Sequence, residues 1–173
     1  GLTPLEGLMM GTRTGDIDPA VVFHLQRVAG MSVDEVDTLF NKKSGMKGMT
    51  GESDMRSVWD MIHNDDDPEA QQRARTAMDV YINRLLKYVG SYTAELGGLD
   101  VITFTAGIGE NDAAVRRELA EALAPFGVKI DVEANNVRSG EPRVVSTADS
   151  AVTIYVFPTN EELAIARQAL TFA

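Results

Sequence analysis

Arg13 stands between two glycines in Gly11-Thr12-Arg13-Thr14-Gly15-Asp16-Ile17-Asp18-Pro19, just ahead of a helix start. A planar guanidinium on a backbone this free can clamp a carboxylate or phosphoryl oxygens through two parallel hydrogen bonds. The plainer alternative is a surface pairing of Arg13 with Asp16 or Asp18. A second segment, Ala106-Gly107-Ile108-Gly109-Glu110-Asn111, is a tight turn between an apolar β-branched run and a helical pattern. Backbone N–H groups at such a helix start bind anions, and glycines let a phosphate approach closely. A Gly-x-Gly turn is a weak signal alone. The strand, turn, helix and Asp131 together imitate a dinucleotide unit with its ribose acid, but Asp112 occupies the third glycine position of that fingerprint. No G-x-x-x-x-G-K-[ST] phosphate loop occurs in the sequence.

Two further segments carry charge that packing does not require. In Thr159-Asn160-Glu161-Glu162, a capping box accounts for Thr159 and Glu162. Glu161 is left open between the helix dipole and a cation held beside phosphates, as Mg²⁺ commonly is. In Ser53-Asp54-Met55-Arg56, a helix cap on Ser53 or Asp54 explains most of the pattern. His24 and His63 are lone helical histidines, read as packed or solvated. Asp65, Asp66 and Asp67 form a solvated acidic turn without the spacing of a calcium loop. The eight methionines are assigned mostly to the core.

The elements that must position these residues follow from caps and periodicity. Asp18-Pro19 opens a helix through Val21, Val22, Leu25, Val28 and Ala29, ended by Gly30. Ser32 and Glu35 make a capping box for a second helix ending near Lys42 and Lys43. Residues 44–53 read as a glycine-punctuated loop, followed by a short helix with Met55, Val58, Trp59 and Ile62. Asp67-Pro68 starts a long helix whose apolar face runs through Ala74, Met78, Tyr81, Leu85, Val89, Tyr92 and Leu96 to Gly97-Gly98. Buried strands are predicted over 99–105 and 151–157, a short strand over 128–131 and an edge strand over 143–146. Helices follow through Val115, Leu119, Leu123 and Phe126, and through Leu163, Ala166 and Leu170. The alternation predicts an α/β domain with an at least partly parallel sheet.

With 173 residues, one domain is the default, and 44% hydrophobic residues argue against disorder. A net charge of −10 argues against nucleic-acid or anionic-membrane partners. The absence of cysteine excludes disulfides, thiolate zinc and a cysteine nucleophile, and fits a reducing cytoplasm. No apolar run is long enough for a membrane span, and no signal-like leader opens the chain. The first residue is Gly1, so the chain is expected to be a processed or cut piece.

Residues Gly1 to Pro19 closely resemble the second signature of the acetate kinase (acetokinase) family. The likeness continues through Ser53–Arg56, Phe104–Asn111 and Pro158–Leu163, in order over the whole chain. The resemblance implies the acetate and sugar kinase/Hsc70/actin (ribonuclease H-like) fold, with residues 1–173 as the C-terminal half of a two-domain kinase. That kinase would transfer the γ-phosphoryl of ATP to acetate, giving acetyl phosphate and ADP. By that similarity Arg13 would bind the acetate carboxylate and stabilise the transferring phosphoryl group, and Pro4 would line the methyl pocket. Asp54, Met55 and Arg56 would lie along the adenosine, while Gly107, Ile108, Gly109, Glu110 and Asn111 would form the nucleotide turn. Glu161 would help to hold Mg²⁺. The family also implies a cytoplasmic homodimer paired through this domain, with the helix after Asp67 contributing.

The family's first signature, histidine-rich phosphate segment, catalytic aspartate and transition-state histidine have no counterpart here, so these residues are expected to be inactive alone. Lys47 stands where the family more often has an aliphatic residue. A propionate or butyrate kinase is the nearest rival, because one methylene is worth only about 1–3 kcal/mol. A non-catalytic nucleotide-binding and dimerisation module is the rival from another class, and the dinucleotide fold is a third.

Overall fold

The Asp18 carboxylate accepts the Ala20 N–H at 2.9 Å, opening helix α1 (Ala20–Val28) as the sequence predicts. The same logic recurs at α2 (Val33–Lys42), where Ser32 and Glu35 form both bonds of the capping box. Asp54 caps α4 (Met55–Asn64), and Asp67 accepts the Glu69 N–H at the start of α5 (Pro68–Leu96). The computed structural model describes residues 1–172, which divide into two compact units with a boundary between Tyr88 and Val89. The sequence predicts one domain over the same span.

The first unit packs Met9, Val36, Phe40, Met46, Met55, Val58, Ala74 and Met78 into its core. Each fully buried aliphatic or methionine side chain contributes about 1.5–3 kcal/mol. The expected loop at 44–53 is instead largely the short helix α3 (Gly45–Thr50). Its first amides find carbonyls in the preceding segment, with Met46 N–H on Met10 O at 3.0 Å and Lys47 N–H on Gly11 O at 2.9 Å. Gly45 is required by close approach: a Cβ there would meet Met10 O at 2.0 Å, and its φ is +61°.

The apolar stripe of α5 is covered only in part. Burial runs from Ala70 to Ile82 and then stops, leaving Leu96 76% exposed. Helix α1 likewise buries none of its residues. Periodicity reports a face that can be covered, not one that is.

The second unit is a three-stranded sheet with helices. Its strands are β1 (Val101–Phe104), β2 (Arg143–Val144) and β3 (Thr153–Val156), in the order β1-β3-β2. Strands β1 and β3 are parallel, with Val101 opposite Thr153 and Phe104 opposite Val156. Strand β2 is antiparallel to β3. The central β3 is buried through Ile154 and Val156, as predicted. By contrast β1, expected to be buried, is an edge strand with Val101 49% exposed. The strand expected at 128–131 reduces to a single bridge between Ile130 and Ser146.

The turn after β1 winds into a short helix, α6 (Ala106–Asn111). It leads directly to α7 (Ala113–Ala122), where Asp112 accepts the Ala114 and Val115 N–H groups. Asp131 caps α8 (Val132–Asn136) through the Ala134 N–H, which takes it from the ribose-acid role of a dinucleotide unit. The last long helix, α9 (Glu161–Ala169), is capped by Asn160 and not by the predicted Thr159–Glu162 box. None of its residues is buried.

Candidate functional site

In the first unit the backbone around Arg13 is pinned from several sides. Met10 N–H donates to Arg13 O at 3.1 Å, Thr14 N–H to Phe40 O at 3.0 Å and Ser44 N–H to Thr12 O at 3.0 Å. The Thr12 hydroxyl donates to Asn41 O at 2.9 Å. These bonds hold the loop against the end of α2 and the start of α3. The half-buried Arg13 side chain meets only Met10, with Nη1 4.0 Å from the thioether sulfur, and forms no ion pair among the described residues.

The two acids nearest to it in sequence, Asp16 and Asp18, are engaged elsewhere. The Asp16 carboxylate accepts from Tyr88 Oη at 2.6 Å and from the Gly7 N–H at 2.8 Å, and pairs with Arg84 at 3.4 Å. The Tyr88 hydrogen bond, more than the others, holds its carboxyl below the usual aspartate range. Asp18 accepts the Ala20 N–H at the start of α1. The surface pairing of Arg13 is therefore not made, and Arg13 lines an open hollow of 770 Å³ with Asp37, Asn41, Lys42 and Ser53.

Ser53 links that hollow to the next predicted segment. A Cβ on Gly11 would come within 2.9 Å of Ser53 O, so the arginine loop runs hard against the residue preceding Asp54. Asp54 accepts the Arg56 N–H at 2.9 Å and Arg56 Nε at 3.0 Å. The Arg56 side chain holds the Asp54 carboxyl down to about 2. Arg56 is exposed, Met55 is buried and Pro4 is exposed outside the Arg13 hollow.

In the second unit the polypeptide leaves β1 through Ala106, whose φ of +59° is the one positive value at a non-glycine among the described residues. Backbone of this kind costs about 1–3 kcal/mol and persists where its surroundings enforce it. Here the enforcing group is Glu110. Its Oε1 accepts the Ala106 N–H at 2.8 Å, the Thr159 N–H at 2.9 Å and Thr159 Oγ1 at 3.1 Å. The Thr159 amide is the main cause holding the Glu110 carboxyl below its usual range.

Gly107, Glu110 and Glu161 thereby line one hollow of 460 Å³ with Asn160 and Glu162, between the ends of the parallel strands. Ile108 is exposed, and Asn111 Nδ2 donates to Gly107 O at 2.9 Å. Glu161 is exposed, and no group of three or more acids and histidines forms a metal cage among the described residues. The exposed Glu161 and Glu162 carboxylates at the rim of this hollow fit Mg²⁺ bound mainly by water and phosphate oxygens.

Sequence reasoning missed Arg116 and Asn135, each 2% exposed. Arg116 donates to Gly109 O at 2.8 Å, Glu110 O at 2.9 Å, Asn135 Oδ1 at 2.7 Å and Asn135 O at 2.7 Å, clamping the end of α6. The available signal was an arginine on the same helical stripe as Leu119, Ala120 and Leu123.

Residues 1–167 match the acetokinase family. The chain belongs to that family. The acetokinase relatives include the acetate kinase of Corynebacterium aurimucosum, 53% identical over all of this chain and 41% of that protein. The acetate kinase of Streptomyces griseus is 54% identical over all of this chain and 40% of that protein. Among solved structures, the acetate kinase of Porphyromonas gingivalis is 42% identical with a TM-score of 0.88, over 99% of this chain and 42% of that one. A propionate kinase from Francisella tularensis is 39% identical with a TM-score of 0.85, over 96% of this chain and 41% of that one. The chain thus spans about 40% of the length of these acetokinases and has their mixed α/β fold, consistent with the acetate and sugar kinase class.

Proposed function

We propose that this chain is the C-terminal, nucleotide-binding part of an acetate kinase, which transfers the γ-phosphoryl group of ATP to acetate and releases acetyl phosphate and ADP. The observation that carries the reading is the unpaired guanidinium of Arg13, lining an open hollow while Asp16 and Asp18 are held by other partners. Phosphoryl transfer passes through a loose transition state, so the protein chiefly positions reactants and neutralises charge on the equatorial oxygens. Arg13 supplies such a charge and a fork for the acetate carboxylate.

The family likeness assigns Pro4 to the methyl pocket and Asp54, Met55 and Arg56 to the adenosine, although Pro4 lies outside the Arg13 hollow and Met55 is buried. Residues Gly107 to Asn111 take the nucleotide, with Glu110 holding the turn in shape. Glu161 would hold Mg²⁺, which would neutralise phosphate charge when bound. The enzyme is a cytoplasmic homodimer paired through this part. The likeness to the Francisella tularensis propionate kinase supports a second reading in which propionate is the acceptor.

The test is calorimetric titration of the chain with Mg-ADP and, in parallel, with NAD. Binding of Mg-ADP, lost on replacing Gly107 by a bulky residue, is the expected result. NAD binding without Mg-ADP binding would contradict the assignment.

A further inference from the structure

Beside the hollow of Glu161, and sharing Glu110 with it, lies a second cavity of 560 Å³, within the range of roughly 300–1,000 Å³ typical of small-molecule sites. Arg116, Arg138 and Arg143 line it, with Glu110, Asn136 and Ser139 among the other groups. None of the three arginines forms an ion pair among the described residues, although the chain carries a net charge of −10. Arg143 Nε is enclosed and has no hydrogen-bond partner, and its Nη1 makes only a 3.3 Å bond to Ser139 O. An enclosed, unsatisfied charged donor is costly unless a ligand completes it.

Arg116 is pushed below its ordinary value by burial first and by the nearby Arg143 charge second, so two like charges face one region. The Glu110 Oε1 is occupied by Ala106 and Thr159. Three guanidiniums face the Glu110 carboxylate, and Asp112 offsets part of the Arg116 charge, so the region keeps a net positive charge. A phosphomonoester carries about −1.5 to −2 at neutral pH, and its oxygens match the guanidinium fork.

We infer that the cavity bounded by Arg116, Arg138 and Arg143 is a binding site for a phosphorylated small molecule, with Arg143 as its principal ligand. The cavity adjoins the hollow that holds Gly107 and Glu161, sharing Glu110 with it, but the three arginines line this cavity alone and the inference does not rest on the nucleotide reading. Arg116 contributes charge, since most of its donors already serve the backbone and Asn135. Arg138 is exposed and contributes attraction from the rim.

The experiment titrates the chain with inorganic phosphate, glycerol 3-phosphate and succinate, in the presence and absence of Mg-ADP. The two phosphates bind and succinate binds more weakly. Arg143→Ala weakens phosphate binding by about tenfold or more, and Arg138→Ala weakens it several-fold. If Arg143→Ala lowers the melting temperature, Arg138→Ala, which removes no hydrogen bond, carries the test. Failure of both phosphates to bind at millimolar concentration, or affinity unchanged in both variants, would overturn the inference. So would succinate binding as tightly as phosphate. Displacement of phosphate by Mg-ADP would overturn the independence of the site from that hollow.

Discussion

Glu110 and Thr159, far apart in sequence, are joined by one carboxylate oxygen that accepts the Thr159 N–H at 2.9 Å and its hydroxyl at 3.1 Å. Because the same oxygen accepts the Ala106 N–H, it ties the exit of β1 to the exit of β3. Protonation would weaken all three contacts. The Glu110 carboxyl is lowered in the folded chain, so its contribution is full above the ordinary glutamate range, near about 4.3, and is lost as pH falls through the lower folded value. Hydrogen exchange at the Thr159 amide should therefore accelerate in acid beyond the intrinsic trend. In Glu110→Ala, which removes the acceptor, it should be fast already at neutral pH, and an unchanged profile would show that the contact is not formed.

Ala106 holds a left-handed backbone that glycine adopts without penalty. Ala106→Gly should raise stability by about 1 kcal/mol, or about 2–4 °C in melting temperature for a chain of this size. A fall in melting temperature would mean that the conformation is not strained.

Arg116 is the buried cation of the second unit, and its removal strands the Gly109, Glu110 and Asn135 oxygens together. Arg116→Met keeps much of the volume but leaves these acceptors without a donor. It should cost about 3 kcal/mol or more in denaturant unfolding. A cost under about 1 kcal/mol would show that water replaces the guanidinium with little loss.

Elements whose cause is local could be read from the sequence. Asp18, Ser32 with Glu35, and Asp67 start helices where their residue types predict, because a cap needs only the next three residues. Elements decided by distant partners could not. Thr159 reads as a cap, but Glu110 engages it, and Asn160 caps the helix instead. Gly45 reads as loop punctuation, yet its absent side chain admits Met10 O and lets a helix form. The exposure of β1 and of the later turns of α5 depends on what lies against them, which periodicity does not encode.

The site divides along the same line. Arg13 between glycines was visible as a candidate, but its freedom became evident only when Tyr88 and Arg84 proved to hold Asp16. Arg116 was visible only as a charge on an apolar stripe, and its four acceptors come from α6 and α8.

The central claim is that Arg13 carries charge stabilisation in an acetate kinase. It is tested most directly by grafting this chain into the acetate kinase of Corynebacterium aurimucosum in place of the matching segment, which is 53% identical. Acetyl phosphate formation is then measured with and without Arg13→Ala. The graft should be active. Arg13→Ala should lower turnover by about 10³-fold or more, as loss of a transition-state arginine does, with Mg-ADP binding retained. Near-unchanged turnover in the Arg13→Ala graft would contradict the account.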